Sequence, residues 1–356
     1  MEDLEMSFWQ GKRVLVTGHT GFKGSWLSLW LKTRGAEVCG FSLEPESSPN
    51  LFESLGLGGL VDSRIGDIRN LELLEQTLQS FQPEIIFHLA AQSLVRRSYR
   101  EPVDTYTTNV IGTINVLEAA RKTSSVKAIV AITTDKVYEN EERDFGYSES
   151  DRLGGFDPYS NSKACAEMAI SSYRNSFFSD GTTLIASARA GNVIGGGDWS
   201  EDRLLPDVFR SLIFGDELVI RNPNSIRPWQ HTLEPLNGYM LLAEKLFEGK
   251  TEFATAWNFG PDEDASKPVK LVLEEIEKNW DGEVEWKISN GDHPHETNIL
   301  KLDSSRARAK LGWNSILTLP ESLLMTIEWY RAFRDEEDLV KVTSDQIGEY
   351  ETKRCR

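Results

Sequence analysis

At 356 residues, 39% hydrophobic and 27% charged, with ten Trp, the chain can bury a sizeable core and is too apolar for wholesale disorder. Its net charge of −17 repels a polyanion, and no Lys/Arg run offsets that field. Nucleic acid is therefore excluded as a partner, whereas a small diphosphate held by a few arginines is not. From the N-terminus, residues 12–17 (KRVLVT) read as a buried strand. A glycine-rich turn follows, then an apolar helix over residues 25–32, ended by Gly35. Residues 36–41, 84–89, 127–133 and 183–188 read as further strands, with a helix over 104–122 between the third and fourth. Strands alternating with helices of this length predict an α/β fold: a doubly wound parallel sheet covered on both faces. After residue 190 the pattern loosens around Gly195–Gly197 and several prolines, which suits a smaller, loop-rich lobe. The acidic stretch from Asp335 onward reads as a solvated, peripheral tail.

The three cysteines, Cys39, Cys165 and Cys355, are far apart and show no metal-ligand spacing. The opening MEDLEMSFWQ is acidic, lacks an apolar signal core and offers Met6 as a second start. No apolar run is long enough to span a bilayer, so the expected compartment is the cytoplasm, with no membrane partner.

Gly18-His19-Thr20-Gly21-Phe22-Lys23-Gly24 follows the first strand and opens the first helix. In that context glycines three apart serve a tight turn, a close approach of backbone to a pyrophosphate, and helix–strand packing. The helix N-terminus offers free N–H groups to phosphate. A dinucleotide site is expected here. His19 is bulky where a small residue eases that approach, and so stands to weaken cofactor binding. Ser42 ends the second strand where an acid would hold the ribose hydroxyls, with Glu44 nearby. Lys23 adds positive charge, which weakens the case against a 2′-phosphate, but NAD rather than NADP is the expected cofactor.

Tyr159 and Lys163 stand four apart, on one face of a helix. An ammonium beside a phenol favours the phenolate, and such a phenol can take a proton from a sugar hydroxyl as hydride leaves the carbon. The glycine pattern, His88-Leu89-Ala90-Ala91, Thr133-Thr134-Asp135 and Tyr159/Lys163 together resemble the extended short-chain dehydrogenase/reductase family, along nearly the whole chain to Leu311-Gly312-Trp313. The resemblance implies a Rossmann-type domain over residues 1–190, to which parts of the later chain return. It also implies a mainly nucleotide-sugar-binding lobe over 191–335, and leaves the tail at 336–356. It places Asp67 and Ile68 at the adenine, and Leu89, Ala90 and Ala91 along the cofactor. Gln92 and Ser93 then face the nicotinamide and the sugar, and Thr134 hydrogen-bonds the 4-hydroxyl.

Asp135-Lys136 narrows the resemblance to nucleotide-sugar 4,6-dehydratases, whose Thr-Asp-Glu run supplies an acid for the C6 hydroxyl and a base for C5; epimerases lack the pair. Thr-Thr-Asp-Lys-Val-Tyr and Gly-His-Thr-Gly-Phe-Lys-Gly-Ser-Trp are most similar to the branch acting on CDP-glucose, which feeds deoxysugar synthesis for surface polysaccharide such as O-antigen. Lys136 replaces the glutamate, and is either the base or a residue that holds Asp135 or the C6 hydroxyl. The resemblance further implies Asn192 and Arg227 at the substrate diphosphate, Leu205 over the nucleotide, and Glu296, in His293-Pro294-His295-Glu296, near the base. The proline breaks any helical metal-ligand spacing there, and no metal is expected. A homodimer is implied, with tetramers among relatives. An epimerase or reductase on the same scaffold is the nearest alternative. A non-catalytic cofactor-sensing regulator is the more distant one, since such proteins lose the Tyr or Lys.

Overall fold

The computed structural model describes residues 7–289 and 300–355. The first half alternates strand and helix: β1 (Arg13–Thr17), α1 (Phe22–Thr33), β2 (Glu37–Ser42), a short α2 (Leu51–Ser54), β3 (Asp62–Ile65), α3 (Leu71–Phe81), β4 (Ile85–His88), α4 (Val95–Arg100), α5 (Pro102–Tyr106), α6 (Gly112–Arg121), β5 (Ala128–Ile132), α7 (Pro158–Ser176) and β6 (Leu184–Ala190). The second half supplies β7 (Val193–Ile194), α8 (Leu204–Phe214), β8 (Val219–Ile220), β9 (Ile226–Pro228), β10 (Gln230–His231), α9 (Leu233–Phe247), β11 (Ala256–Phe259), α10 (Val269–Asn279), α11 (Leu319–Arg334) and α12 (Leu339–Arg354).

Seven strands form one parallel sheet in the order β11-β6-β5-β4-β1-β2-β3. The order reverses between β1 and β4, and a doubly wound sheet opens its ligand crevice at such a switch point. Central strands are buried throughout because helices cover both faces: β5 (AIVAI) is wholly apolar, and β6 (LIASARA) carries only Ser187 and Arg189 as polar side chains. One core layer joins Trp26, Leu29 and Trp30 of α1 to α9 and α11; the other packs α3, α6 and α7 against Leu15, Ile86 and Ile129.

The five strands read from the sequence are β1, β2, β4, β5 and β6. Two were not legible. β3 (DSRI) is a polar edge strand, and β11 (AWNF) comes from the second half and closes the sheet beside β6. The helix expected over 104–122 is broken by a π turn at Thr107–Ile111.

The C-terminal stretch corrects the sequence reading outright. It is not a solvated tail: α12 packs on α1 and α11, with Thr343, Ile347 and Tyr350 fully or almost fully buried. Its buried stripe, Thr343, Gln346, Ile347 and Tyr350, is half polar and follows the acidic run Asp335–Asp338, so composition hid it. Among the described residues, no helix is long and apolar enough to cross a membrane.

Candidate active site

A cleft of about 1290 Å³ opens at the C-terminal ends of β1, β4 and β5. Its first wall is the β1–α1 turn. Gly18 has φ +79°, and a Cβ there would lie 2.7 Å from the backbone nitrogen of Ala90. A Cβ on Gly24 would lie 2.0 Å from the Gly18 carbonyl oxygen. Neither position admits a side chain, so turn, strand and helix close on one another and leave the N-terminus of α1 bare toward the cleft. That is a cradle fitted to a pyrophosphate. Beside it, Thr20 Oγ1 donates to the Leu43 carbonyl and hydrogen-bonds Ser42 Oγ, each at 2.9 Å. Asn115 Nδ2 donates to the Ile68 carbonyl and fixes the Asp67–Ile68 turn. The Arg69 guanidinium lies between Asp67 at 2.6 Å and Asp104 at 2.5 Å. Leu89, Ala90 and Ala91 line the next stretch, and Thr17 and Thr113 hydrogen-bond the two ring nitrogens of His88 at 2.8 and 2.9 Å beneath them.

His19 is the exception among the cradle residues. Its ring turns away from the cleft and fills the space over Gly40, where a Cβ would lie 2.2 Å from it. Nε2 meets Ser63 Oγ at 2.8 Å and the ring stands edge-on to Phe52. Burial pulls its pKa down to about 4, so the ring is neutral. The side chain neither crowds nor contacts the cleft, which corrects the expectation that its bulk obstructs the pyrophosphate.

The opposite wall carries the chemistry. β5 ends at Ile132; Thr133 and Thr134 follow, then a single turn, Asp135–Val137. Thr134 Oγ1 donates to Asp135 Oδ1 at 2.9 Å and accepts from the Lys136 backbone N–H at 3.4 Å. Lys136 Nζ lies 3.5 Å from the same carboxylate oxygen; Asp135 is buried and Lys136 half-buried. Asp135 Oδ2 packs onto Gly191 so closely that a Cβ there would sit 2.9 Å away. Helix α7 starts under an Asp157 cap, with Asp157 Oδ1 accepting from the Ser160 N–H at 2.9 Å and Pro158 in the first turn. The cap sets the helical phase that turns Tyr159 and Lys163 into the cleft. Tyr159 and Thr134 are hydrogen-bonded through their hydroxyls. Lys163 Nζ donates to the Ile132 carbonyl at 3.2 Å.

Burial pushes the Tyr159 phenol up to about 12, against the Thr134 hydrogen bond that lowers it. It pulls the Lys163 ammonium down to about 8, helped by repulsion from Lys23 and opposed by Glu167. The sequence reading had a lysine-lowered phenol. In the folded chain burial outweighs that effect, so the phenol is protonated at neutral pH, and further positive charge is required before it acts as a base.

Lys23 also drops to about 8. Burial leads, Arg203 and Lys136 add repulsion, and Asp135 and Asp198 oppose. From sequence it is a cofactor residue whose charge bears on a 2′-phosphate, but these neighbours put that charge at the catalytic end of the cleft. Ser93, Asn192, Leu205 and Arg227 also line the cleft. Glu296 lies outside the described residues.

Three features escaped the sequence reading. Arg203 bridges the cleft, donating to Asp198 Oδ2 at 3.0 Å and to Ser93 Oγ at 3.2 Å. Arg96 and Arg100 of α4 pair with Asp202 and Glu201 at 2.7 and 3.2 Å, tying the 198–203 segment across the site. Asn109, in the π turn, donates to the Gln92 carbonyl and Ser162 Oγ, both at 2.9 Å, and joins the cofactor wall to α7. A buried Asn within a helical pattern was the available signal for the last; for the arginines there was none. Among the described residues no group of three or more His, Cys, Asp and Glu is set to hold a metal.

Residues 15–326 match the family model described as GDP-mannose 4,6 dehydratase. The chain is 48% identical over 352 residues to a CDP-glucose 4,6-dehydratase of Salmonella typhimurium, covering 98% of each chain. It is 26% identical over 329 residues to a probable dTDP-glucose 4,6-dehydratase of Sinorhizobium fredii, covering 89% of this chain and 92% of that one. Among solved structures, a UDP-glucose 4-epimerase from Stenotrophomonas maltophila with bound NAD superposes with a TM-score of 0.78 at 20% identity, over 91% of this chain and 99% of that one. The NAD complex of the Thermus thermophilus UDP-glucose 4-epimerase gives 0.76 at 24% identity, over 90% and 99%. These structural likenesses carry the fold.

Proposed function

Because the chain belongs to the GDP-mannose 4,6-dehydratase family within the extended short-chain dehydrogenases/reductases, we propose that it is an NAD-dependent hydro-lyase converting CDP-glucose to CDP-4-keto-6-deoxyglucose and water. The observation that carries the dehydratase reading is the buried Asp135 carboxylate with Lys136 beside it, on the turn that begins at Thr134 and faces Tyr159. An epimerase or a reductase has no use for an acid placed to protonate a leaving hydroxyl.

NAD fits the Gly18–Gly24 cradle. Gly21, Phe22 and Lys23 stand at the head of α1; Ser42, Asp67 and Ile68 would hold the adenosine, and Leu89 to Ala91 would run along the dinucleotide. Two carboxylates around the single Arg69 guanidinium leave that rim net negative, which disfavours an added 2′-phosphate. Bound there, NAD would supply a hydride acceptor for C4 of the sugar and, once reduced, a hydride donor for C6. Tyr159, as the phenolate that the Lys163 ammonium and a bound oxidised nicotinamide would stabilise, takes the proton of the 4-hydroxyl and becomes the phenol, with Thr134 holding that hydroxyl. The 4-ketone acidifies the C5 proton. Lys136, as the neutral amine, accepts it while Asp135, as the carboxylic acid, gives its proton to the departing C6 hydroxyl; Lys136 then returns its proton to C5, and the proton that Tyr159 took from the 4-hydroxyl restores Asp135. Asn192, Arg227 and Ser93 hold the diphosphate and sugar, and Leu205 covers the nucleotide; a guanidinium fork suits phosphate oxygens.

The protein acts in the cytoplasm on a precursor of surface-polysaccharide deoxysugars. It works as a homodimer, or a tetramer built from such dimers. Support for the dimer comes from the exposed apolar residues Val103, Ile111 and Met168 on the neighbouring α5, π-turn and α7 segments. The test is incubation with CDP-, dTDP-, UDP- and GDP-glucose, following a product lighter by one water that carries a 4-ketone. Product from CDP-glucose is expected. Product from dTDP-glucose alone overturns the base assignment, and an Asp135→Asn variant that still dehydrates overturns the acid.

A further inference from the structure

Behind the catalytic turn lies a buried ion pair that the reaction does not use. Glu167 of α7 and Arg189 of β6 meet at 2.9 Å, and each side chain is 4% exposed. All four acceptor positions of the carboxylate are taken. Oε1 accepts from Arg189 Nε at 2.9 Å and from Thr133 Oγ1 at 2.6 Å. Oε2 accepts from Arg189 Nη2 at 2.9 Å and from Ser187 Oγ at 2.7 Å. Arg189 then extends the network on its other side, donating from Nη1 to the Tyr138 hydroxyl at 2.8 Å. That hydroxyl donates to Asn258 Oδ1 at 2.7 Å, and Asn258 Nδ2 donates to the Tyr147 carbonyl at 2.8 Å.

The two partners of the pair bracket a short piece of chain. Thr133 immediately precedes Thr134-Asp135-Lys136-Val137, and Tyr138 immediately follows it. Glu167 also stands one helical repeat beyond Lys163, as Lys163 does beyond Tyr159, so three residues four apart share a face of α7. One ion pair therefore sets both ends of the turn and the height of the helix above it. A carboxylate and a guanidinium brought this far from water demand such saturation, because an unpaired member is strongly destabilising. Saturation also makes the geometry stiff, and proton transfer to a leaving group needs stiffness: a misplacement of about 1 Å costs on the order of 100-fold.

We propose that the Glu167–Arg189 pair is a positioning device, clamping the turn at Thr133 and Tyr138 so that Asp135 and Lys136 meet C6 and C5 of the sugar. The inference rests on the dehydratase reading above. Its specific consequence is that loosening the clamp slows elimination more than C4 oxidation, since Tyr159 and Lys163 stay anchored on α7.

Thr133→Val and Tyr138→Phe each cut one arm and leave the ion pair intact. Each is expected to lower kcat about 10- to 100-fold, with KM for CDP-glucose within about twofold. The absorbance of reduced nicotinamide at about 340 nm should accumulate during turnover, because oxidation then outruns elimination. Thr133→Ser keeps the hydroxyl and should restore the wild-type rate. Variants that melt at lower temperature yet turn over like the wild type, with no such accumulation, would show a purely structural pair and overturn the proposal. So would a rise in KM alone. A wild-type protein that converts no nucleotide sugar overturns the functional reading and the clamp with it, whereas a competent wild type with unaltered variants overturns the clamp alone.

Discussion

Tyr350 sits on the helix that the sequence presents as an acidic tail, and its replacement by Phe tests whether that helix belongs to the core. The ring is fully buried, and its hydroxyl donates to Glu234 Oε2 at 2.8 Å. The other oxygen of Glu234 accepts the backbone N–H groups of Ile316 and Leu317, each at 2.7 Å. Removing a donor to a buried carboxylate costs about 1.5–3 kcal/mol. For 356 residues the entropy of unfolding is about 0.75 kcal/mol/K, so Tyr350→Phe should lower Tm by roughly 2–4 °C. Tyr350→Ala adds a cavity and should cost about 3–5 kcal/mol, or roughly 4–7 °C. The effect depends on pH with a definite sign. Burial holds the Glu234 carboxyl above its usual range, opposed by those N–H groups and by Tyr350. A raised folded-state value favours the protonated form, so its contribution to stability is present at low pH and is lost as pH rises through that value. Losing the Tyr350 donor raises the value further, so the deficit is small in acid and complete at neutral pH. Differential scanning calorimetry reads all three quantities, and tryptophan emission reads a fourth: deletion of residues 336–356 should expose Trp30 and Trp329 and shift emission to the red. A Tyr350→Phe protein melting within about 0.5 °C of wild type, or a deletion with unchanged emission, would refute the reasoning.

Tyr159→Phe should lower kcat by about 10²- to 10⁴-fold while an NAD titration stays unchanged; turnover near wild type would remove Tyr159 from the mechanism. The working form of Lys163 is the ammonium, whose pKa is held down to about 8, so kcat/KM should fall as pH rises through that value, and Lys163→Arg should flatten that limb. Gly24→Ala places a methyl 2.0 Å from the Gly18 carbonyl and must open the cradle. It should weaken NAD binding at least about tenfold, corresponding to a strain of about 1–3 kcal/mol, as measured by calorimetric titration.

The sequence by itself determined what local periodicity encodes. Alternating apolar runs placed five of the seven sheet strands. Glycines between a strand and a helix marked the cradle, because only they tolerate the φ at Gly18 and the contact at Gly24. The four-residue spacing of Tyr159 and Lys163 put them on one face of α7 whatever the rest of the chain does. Burial and long-range contact were decided only by tertiary structure, since both depend on what the sheet order brings near. Thus the ring of His19 enters the space over Gly40, Lys23 reaches the field of Asp135 and Asp198, and Arg203 crosses the cleft to Ser93. Thr133 and Tyr138 are joined through Glu167 and Arg189, which arrive from a different helix and a different strand. The same holds for α12, which follows the acidic run Asp335–Asp338 and whose place in the fold is set by the buried Ile347 and Tyr350.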